Sequence, residues 1–208
     1  MVRTFMSRRF FREDGGVVLV EAMLVVPVLM LVLTTMIELS LALFQWNQTV
    51  KAVQLGARLA AVSSPLADDM SALEADYPTA QGGPTPAASV SVSCGAGTTA
   101  CNAAQMSRLI FGSDGVCDPN IGASLAGVCD FNPRITAANL LITYHRTGLG
   151  YVGRPAGPVV TVTVETRNLT FDFLFLGFFL GQNQLVIPSH PVTITSEDLL
   201  NCKTPPCA

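Results

Sequence analysis

The sequence predicts an α+β protein. A long N-terminal helix, apolar at first and amphipathic later, lies against a small antiparallel sheet in a loop-rich, disulfide-bonded head. Three observations predict this. Residues 17–44 carry only two ionisable side chains, Glu21 and Glu38. Beyond them, small apolar residues recur at three- and four-residue spacing as far as position 62, the period of one helix face. After Pro65 the pattern changes to short alternating runs set between Gly- and Pro-bearing stretches, and every cysteine of the chain falls there.

The N-terminal elements follow in order. Residues 1–16 form a basic leader in which Arg8, Arg9 and Arg12 outweigh Glu13 and Asp14, and it ends in Gly15-Gly16. Residues 17–44 are the predicted transmembrane helix. A helix needs about 20 mostly apolar residues to cross the hydrocarbon core, and this run suffices. Pro27 inside it predicts a local kink, which membrane helices tolerate. A secretory signal has an apolar region of only about 7–15 residues, closed by a small-residue cleavage site. Here the run is longer and no A-x-A site closes it. The nearest downstream cations are Lys51 and Arg58, so the basic excess lies upstream and favours a cytoplasmic N-terminus.

Glu21 is the residue that calls for a function. A carboxylate at membrane depth costs about 3 kcal/mol or more, so it is retained for a purpose. Were the chain cut after Gly16, Val17 would become an α-amino terminus, and the Glu21 of an adjacent chain could neutralise it.

Residues 45–62 extend the helix. Val50, Val53, Ala57, Ala60 and Ala61 form a narrow stripe, and Trp46 stands where the apolar run ends, as interfacial aromatics do. Ser63-Ser64-Pro65 then breaks the helix. Residues 17–62 would make a rod of roughly 70 Å at about 1.5 Å per residue. A lone polar helix is marginal in water, so the stripe is expected to pack on the head.

These residues resemble a known family. A basic leader ending in glycine, a Glu at the fifth residue after it and an apolar helix are similar to the N-termini of type IV prepilins and pseudopilins. The string GGVVLVEAMLVVPVLMLVLTTMIEL, followed by AVQLGARLAAV, resembles the TadE-like minor pseudopilins of tight-adherence (Flp-type) pilus systems. A weaker echo is VVTVTVETRNL followed by PVTITSEDL. Ala22 follows the Glu where major Flp pilins usually carry an aromatic, which argues against the main pilus subunit, as does the chain's length.

The resemblance implies a pilin-like fold and a mechanism. A prepilin peptidase would cut between Gly16 and Val17 on the cytoplasmic side of the bacterial inner membrane, with Gly15 and Gly16 allowing an extended approach. Arg8, Arg9 and Arg12 would hold the leader at the anionic leaflet. Glu21 would then dock the chain to pilin-like subunits and inner-membrane pilus assembly proteins, and the head would be periplasmic or part of a surface pilus. The alternative is an uncleaved, single-span envelope scaffold (TadG-like) or adhesin of the same machinery.

Composition bounds the rest. The chain has 208 residues, a formal net charge of −3 and 13% charged residues, with a mean hydropathy of +0.45 that is concentrated in the anchor. Nothing in that balance points to a nucleic-acid surface. No G-x-S-x-G, H-E-x-x-H or P-loop string occurs, so the chain is not expected to be an enzyme or to need a cofactor.

Residues 63–88 read as a linker, with a helical turn near 71–75, and residues 89–208 as the head. The head is expected to hold strands at 88–94, 139–146, 159–169 and 192–196, and a helix at 103–111. Strand 159–169 alternates Val160, Val162 and Val164 against Thr161, Thr163 and Glu165. Six cysteines on the outer side suit disulfides in an oxidising compartment. We expect local pairs: Cys94–Cys101, Cys117–Cys129 and Cys202–Cys207. Residues 113–133 form a loop that depends on the second pair. It carries Asp114, Asp118, Asn120 and Asp130, but lacks the EF-hand spacing and its closing Glu, so no metal site is assigned. His145 and His190 read as ordinary strand and turn residues. The run FDFLFLGFFLG at 171–181 is too short to span a bilayer; it is either a buried core segment or an exposed surface for a partner subunit or the membrane.

Overall fold

In the computed structural model, which describes residues 14–75, 82–118, 125–152 and 159–196, the chain opens with a single helix, α1 (Asp14–Val62), of 49 residues. It runs through Pro27, whose missing N–H leaves the Met23 carbonyl without its usual donor. The chain divides into two compact units. One comprises the helix up to Leu43 together with Asp172–Leu185; the other comprises Phe44–Phe171 and the chain from Val186 onward.

In the first unit the apolar side chains of α1 point outwards, from Val18 to Leu43. The hydroxyls close on their own helix. The Thr34 hydroxyl donates to the Met30 carbonyl at 2.9 Å, Thr35 to Leu31 at 2.7 Å and Ser40 to Met36 at 2.7 Å. That inversion of the usual pattern suits a helix surrounded by hydrocarbon. The helix is long and apolar enough to cross a bilayer.

The second unit is built on a four-stranded antiparallel sheet. Its strands are β1 (Val90–Gly95), β2 (Leu140–Arg146), β3 (Thr161–Thr166) and β6 (Val192–Thr195), in the order β1-β2-β3-β6. Between β3 and β6 lie β4 (Thr170–Asp172) and β5 (Gln184–Val186), which pair with each other. Register fixes the two faces. Ile142 stands opposite Cys94 and Val164, and Tyr144 opposite Val92 and Val162, so these side chains share the inner face. On the outer face Ser93, Thr143, Thr163 and Thr193 form one row across all four strands. Hydroxyls bond along that row: Ser93 donates to Thr143 at 3.1 Å, and Thr163 and Thr193 are 2.9 Å apart. One apolar face and one hydroxyl face is what an antiparallel sheet with one wet side requires.

The end of α1 packs on the inner face. Ala52, Val53, Ala57 and Ala60 are fully buried. The stripe works because it is small: a Cβ on Gly56 would stand 3.0 Å from Val128 Cγ2 and 3.8 Å from Val164 Cγ1. The expected packing of helix on sheet is therefore present, and the α+β class holds. Thr49 adds a polar tie, accepting a bond from Asn132 Nδ2 at 2.9 Å while donating to Gln45 O.

The stretch read as a linker contributes to this core. Leu66 and Leu73 are buried, the latter in α2 (Ser71–Glu74). The Leu66 N–H donates to the Tyr144 hydroxyl at 2.9 Å, and the buried Arg146 donates through Nη1 to the Leu73 carbonyl at 2.6 Å. Burial pushes the Tyr144 phenol up to about 12.

Helix α3 (Ala103–Phe111) matches its expected bounds. Asn102 caps it, its Oδ1 accepting from the Ala104 and Gln105 N–H groups, and Gly112 closes it at φ 71°. Beyond it the loop expected over 113–133 is not wholly irregular. It contains α4 (Val128–Phe131), nucleated by Asp130, whose Oδ2 accepts from Gly127 N at 2.7 Å. A 3₁₀ turn at Ala137–Asn139 leads into β2. The strand expected over 159–169 is shorter, because Asn168 takes a left-handed φ of 55° and turns the chain towards β4. Two of the expected disulfides are formed, Cys94–Cys101 and Cys117–Cys129. Cys202 and Cys207 lie outside the described residues.

Candidate functional site

The candidate site is the N-terminal part of α1. Arg8, Arg9 and Arg12 lie outside the described residues. Gly15 and Gly16 do not present an extended backbone: both are helical, because α1 begins at Asp14. Glycine costs about 1 kcal/mol against alanine in a helix interior, so this first turn is easily unwound. Val17 is likewise within the helix.

Glu21 is exposed and stands on one face with Gly16, Val20 and Leu24, which together line a shallow recess. Among the described residues it has neither a hydrogen bond nor an ion pair. The other carboxylate of the span is in the opposite state. Glu38 is 1% exposed, and its carboxylate accepts three backbone N–H bonds, from Leu174 at 2.6 Å, from Leu176 at 2.8 Å and from Phe175. One acid is satisfied within its own chain; the other is open.

The segment that satisfies Glu38 is the apolar run at 171–181, which reads two ways in the sequence. Phe171 is buried, but Leu174, Phe175, Phe178 and Phe179 are exposed, so the buried-core reading fails for the run as a whole. No sequence pattern points to this pairing, since Glu38 and Leu174 are 136 positions apart. The available signal was a second carboxylate in an otherwise apolar helix.

The acidic residues near the second disulfide have local tasks. Asp130 Oδ1 accepts from Asp118 N at 2.8 Å, and Asp114 Oδ1 accepts from Val116 N at 3.3 Å. Asn120 is outside the described residues. His145 lies on β2, half-buried in a row with Ser91, Thr161 and Thr195, and His190 lies in the exposed segment before β6. Among the described residues, no group of three or more His, Cys, Asp or Glu is placed to hold a metal ion.

Residues 16–58 match the family model described as TadE-like protein. Over this N-terminal segment the chain is similar to the TadE-like family. The match starts at Gly16, takes in Glu21 and Glu38, and ends at Arg58 in the stripe that packs on the sheet. No curated protein and no solved structure matches the chain. The TadE-like family is a structural, pilus-associated one.

Proposed function

We propose that this TadE-like chain is a minor pseudopilin of an Flp-type pilus. A prepilin peptidase cuts it after Gly16, and it docks to other pilin-like subunits through α1. The observation that carries the reading is the contrast between the two carboxylates. Glu38 is saturated by backbone donors of its own chain, whereas Glu21 has no partner among the described residues. An unpaired carboxylate at membrane depth is expensive, and pairing offsets much of that cost. The partner the reading supplies is the Val17 amine of a neighbouring processed subunit, about one helical turn along. Arg8, Arg9 and Arg12 then anchor the leader on the cytoplasmic face, and the disulfide-bonded head is periplasmic.

One observation favours the second reading, an uncleaved envelope scaffold or adhesin: Gly15 and Gly16 are helical rather than extended. The weak helix propensity of two adjacent glycines reduces its force.

The test is Glu21→Ala in the full chain, isolated from membranes by mild detergent. The proposal expects the leader to be removed as before, and co-purification of pilin-like subunits to be lost. Undiminished co-purification would reject the docking role of Glu21.

A further inference from the structure

We propose that the excursion between β4 and β5 is a second membrane contact, seated in the lipid at the end of the span farther from Val17, and that Glu38 holds it there. The inference rests on the reading of residues 17–44 as spanning a bilayer.

Three observations carry it. The first is placement. Residues 172–185 belong to the same compact unit as the apolar part of α1. Their tie to α1 is at Glu38, which lies about 32 Å of helix beyond Val17 at about 1.5 Å per residue. A hydrocarbon core is about 30 Å thick, so the tie falls at its boundary.

The second is the outward face. Helix α5 (Leu176–Leu180) and the turn before it present Phe178 at 86% exposure and Leu174 at 74%, with Phe175 and Phe179 beside them. Phe178 and Phe179 meet edge to face, 5.5 Å apart at 87°. Such a cluster does not stand in water without a partner. It belongs to the same compact unit as the outward-facing Val and Leu side chains of α1, so lipid is the cover argued for both.

The third is the backbone. Lipid offers no hydrogen bonds, so a non-spanning segment can enter it only if its own polar groups are paired. Here they are. Leu174, Phe175 and Leu176 donate to the Glu38 carboxylate, Phe173 N donates to Asn183 O at 2.9 Å, and Phe178 N to Phe175 O at 3.2 Å. The Gln184 side chain donates to Asp172 Oδ1 at 3.0 Å and closes the base. The first N–H groups of a helix have no acceptor within it, and Glu38 takes that of Leu176 together with those of the two residues before it. Glu38 is thus an internal cap that lets the excursion leave water.

The experiment uses the full chain in vesicles of phosphatidylethanolamine and phosphatidylglycerol, with brominated acyl chains as quencher. Trp46 is the one tryptophan, so Trp46→Phe gives a silent background. In that background Phe178→Trp places a fluorescent reporter on the excursion, and Leu29→Trp places one on the span. The proposal expects the excursion reporter to be quenched by lipid brominated near the head groups and shielded from acrylamide. The span reporter should be quenched by deeply brominated lipid. Adding Glu38→Ala should abolish quenching of the excursion reporter and leave the span reporter unchanged. An excursion reporter open to acrylamide, with the span reporter quenched, overturns the proposal and spares the span. An excursion reporter shielded from both quenchers points to protein, such as a second copy, and overturns it too. Lipid quenching at position 178 that survives Glu38→Ala removes Glu38 as the anchor. If neither reporter is quenched by lipid, the span reading itself fails.

Discussion

Gly56→Ala is a sharp probe of how α1 sits on the sheet, because two effects of similar size oppose each other. In an isolated helix the change is worth about 1 kcal/mol in favour of folding. In this protein the new Cβ would stand 3.0 Å from Val128 Cγ2, closer than ordinary van der Waals contact. Val128 is fully buried and lies in the short α4 next to Cys129 of the second disulfide, so it has little room to yield. Overpacking of this kind costs about 1–3 kcal/mol. The net expectation is a change between neutral and about 2 kcal/mol destabilising. Val128→Ala removes the obstructing methyls, and in that background Gly56→Ala should stabilise by about 1 kcal/mol. The double-mutant cycle therefore predicts a coupling of about 1–3 kcal/mol, readable by pulse proteolysis of the full chain across a urea series in detergent. Stabilisation by Gly56→Ala in both backgrounds, with no coupling, would refute the close seating of α1 on Val128 and Val164.

Other predictions follow from the polar ties and cross-links. Tyr144→Phe leaves the buried Leu66 N–H without its acceptor and should cost about 1–3 kcal/mol in the same assay. The Tyr144 phenol is raised from 10.0 to about 12 by burial, so its contribution is intact below pH 10 and lost as pH climbs towards 12. Ultraviolet titration of the folded chain should show this tyrosine ionising well after an ordinary one; simultaneous ionisation of all three tyrosines at the ordinary value would contradict the buried placement. Replacing Cys117 and Cys129 together by serine should cost about 3 kcal/mol, since the bond closes a loop of sequence separation 12. The corresponding change at Cys94 and Cys101, separation 7, should cost less, and the order can be read from the two urea midpoints.

What could be read from sequence was local, and what could not was long-range. Helix α3 has the bounds expected from sequence, and the structure shows Asn102 as its cap and Gly112 as its stop. The valines of β3 and the small stripe of α1 were legible because burial imposes a period on each, two in the strand and three to four in the helix. The helical state of Gly15 and Gly16 was not legible. The role of Asp130 in starting α4 competed with its look as a loop acid, and a four-residue helix leaves no periodic trace. Asn168 shortened β3 by a backbone choice that alternation does not record. Glu38 was hidden most deeply. Its partners are backbone groups of the apolar excursion, and backbone donors look the same in every sequence. Read alone, that excursion is either a core segment or an exposed surface, and the structure leaves Leu174, Phe175, Phe178 and Phe179 facing outwards.

The proposed function requires a chain that is processed at its glycine pair and then assembles through the freed N-terminus and Glu21. The most direct measurement is intact mass with N-terminal sequencing of the protein taken from membranes with and without prepilin peptidase activity. A minor pseudopilin starts at Val17 only where the peptidase is active, and keeps the full leader where it is not. The same N-terminus, with the leader retained, in both membranes would contradict that role and leave a fixed envelope anchor whose function lies in the disulfide-bonded head.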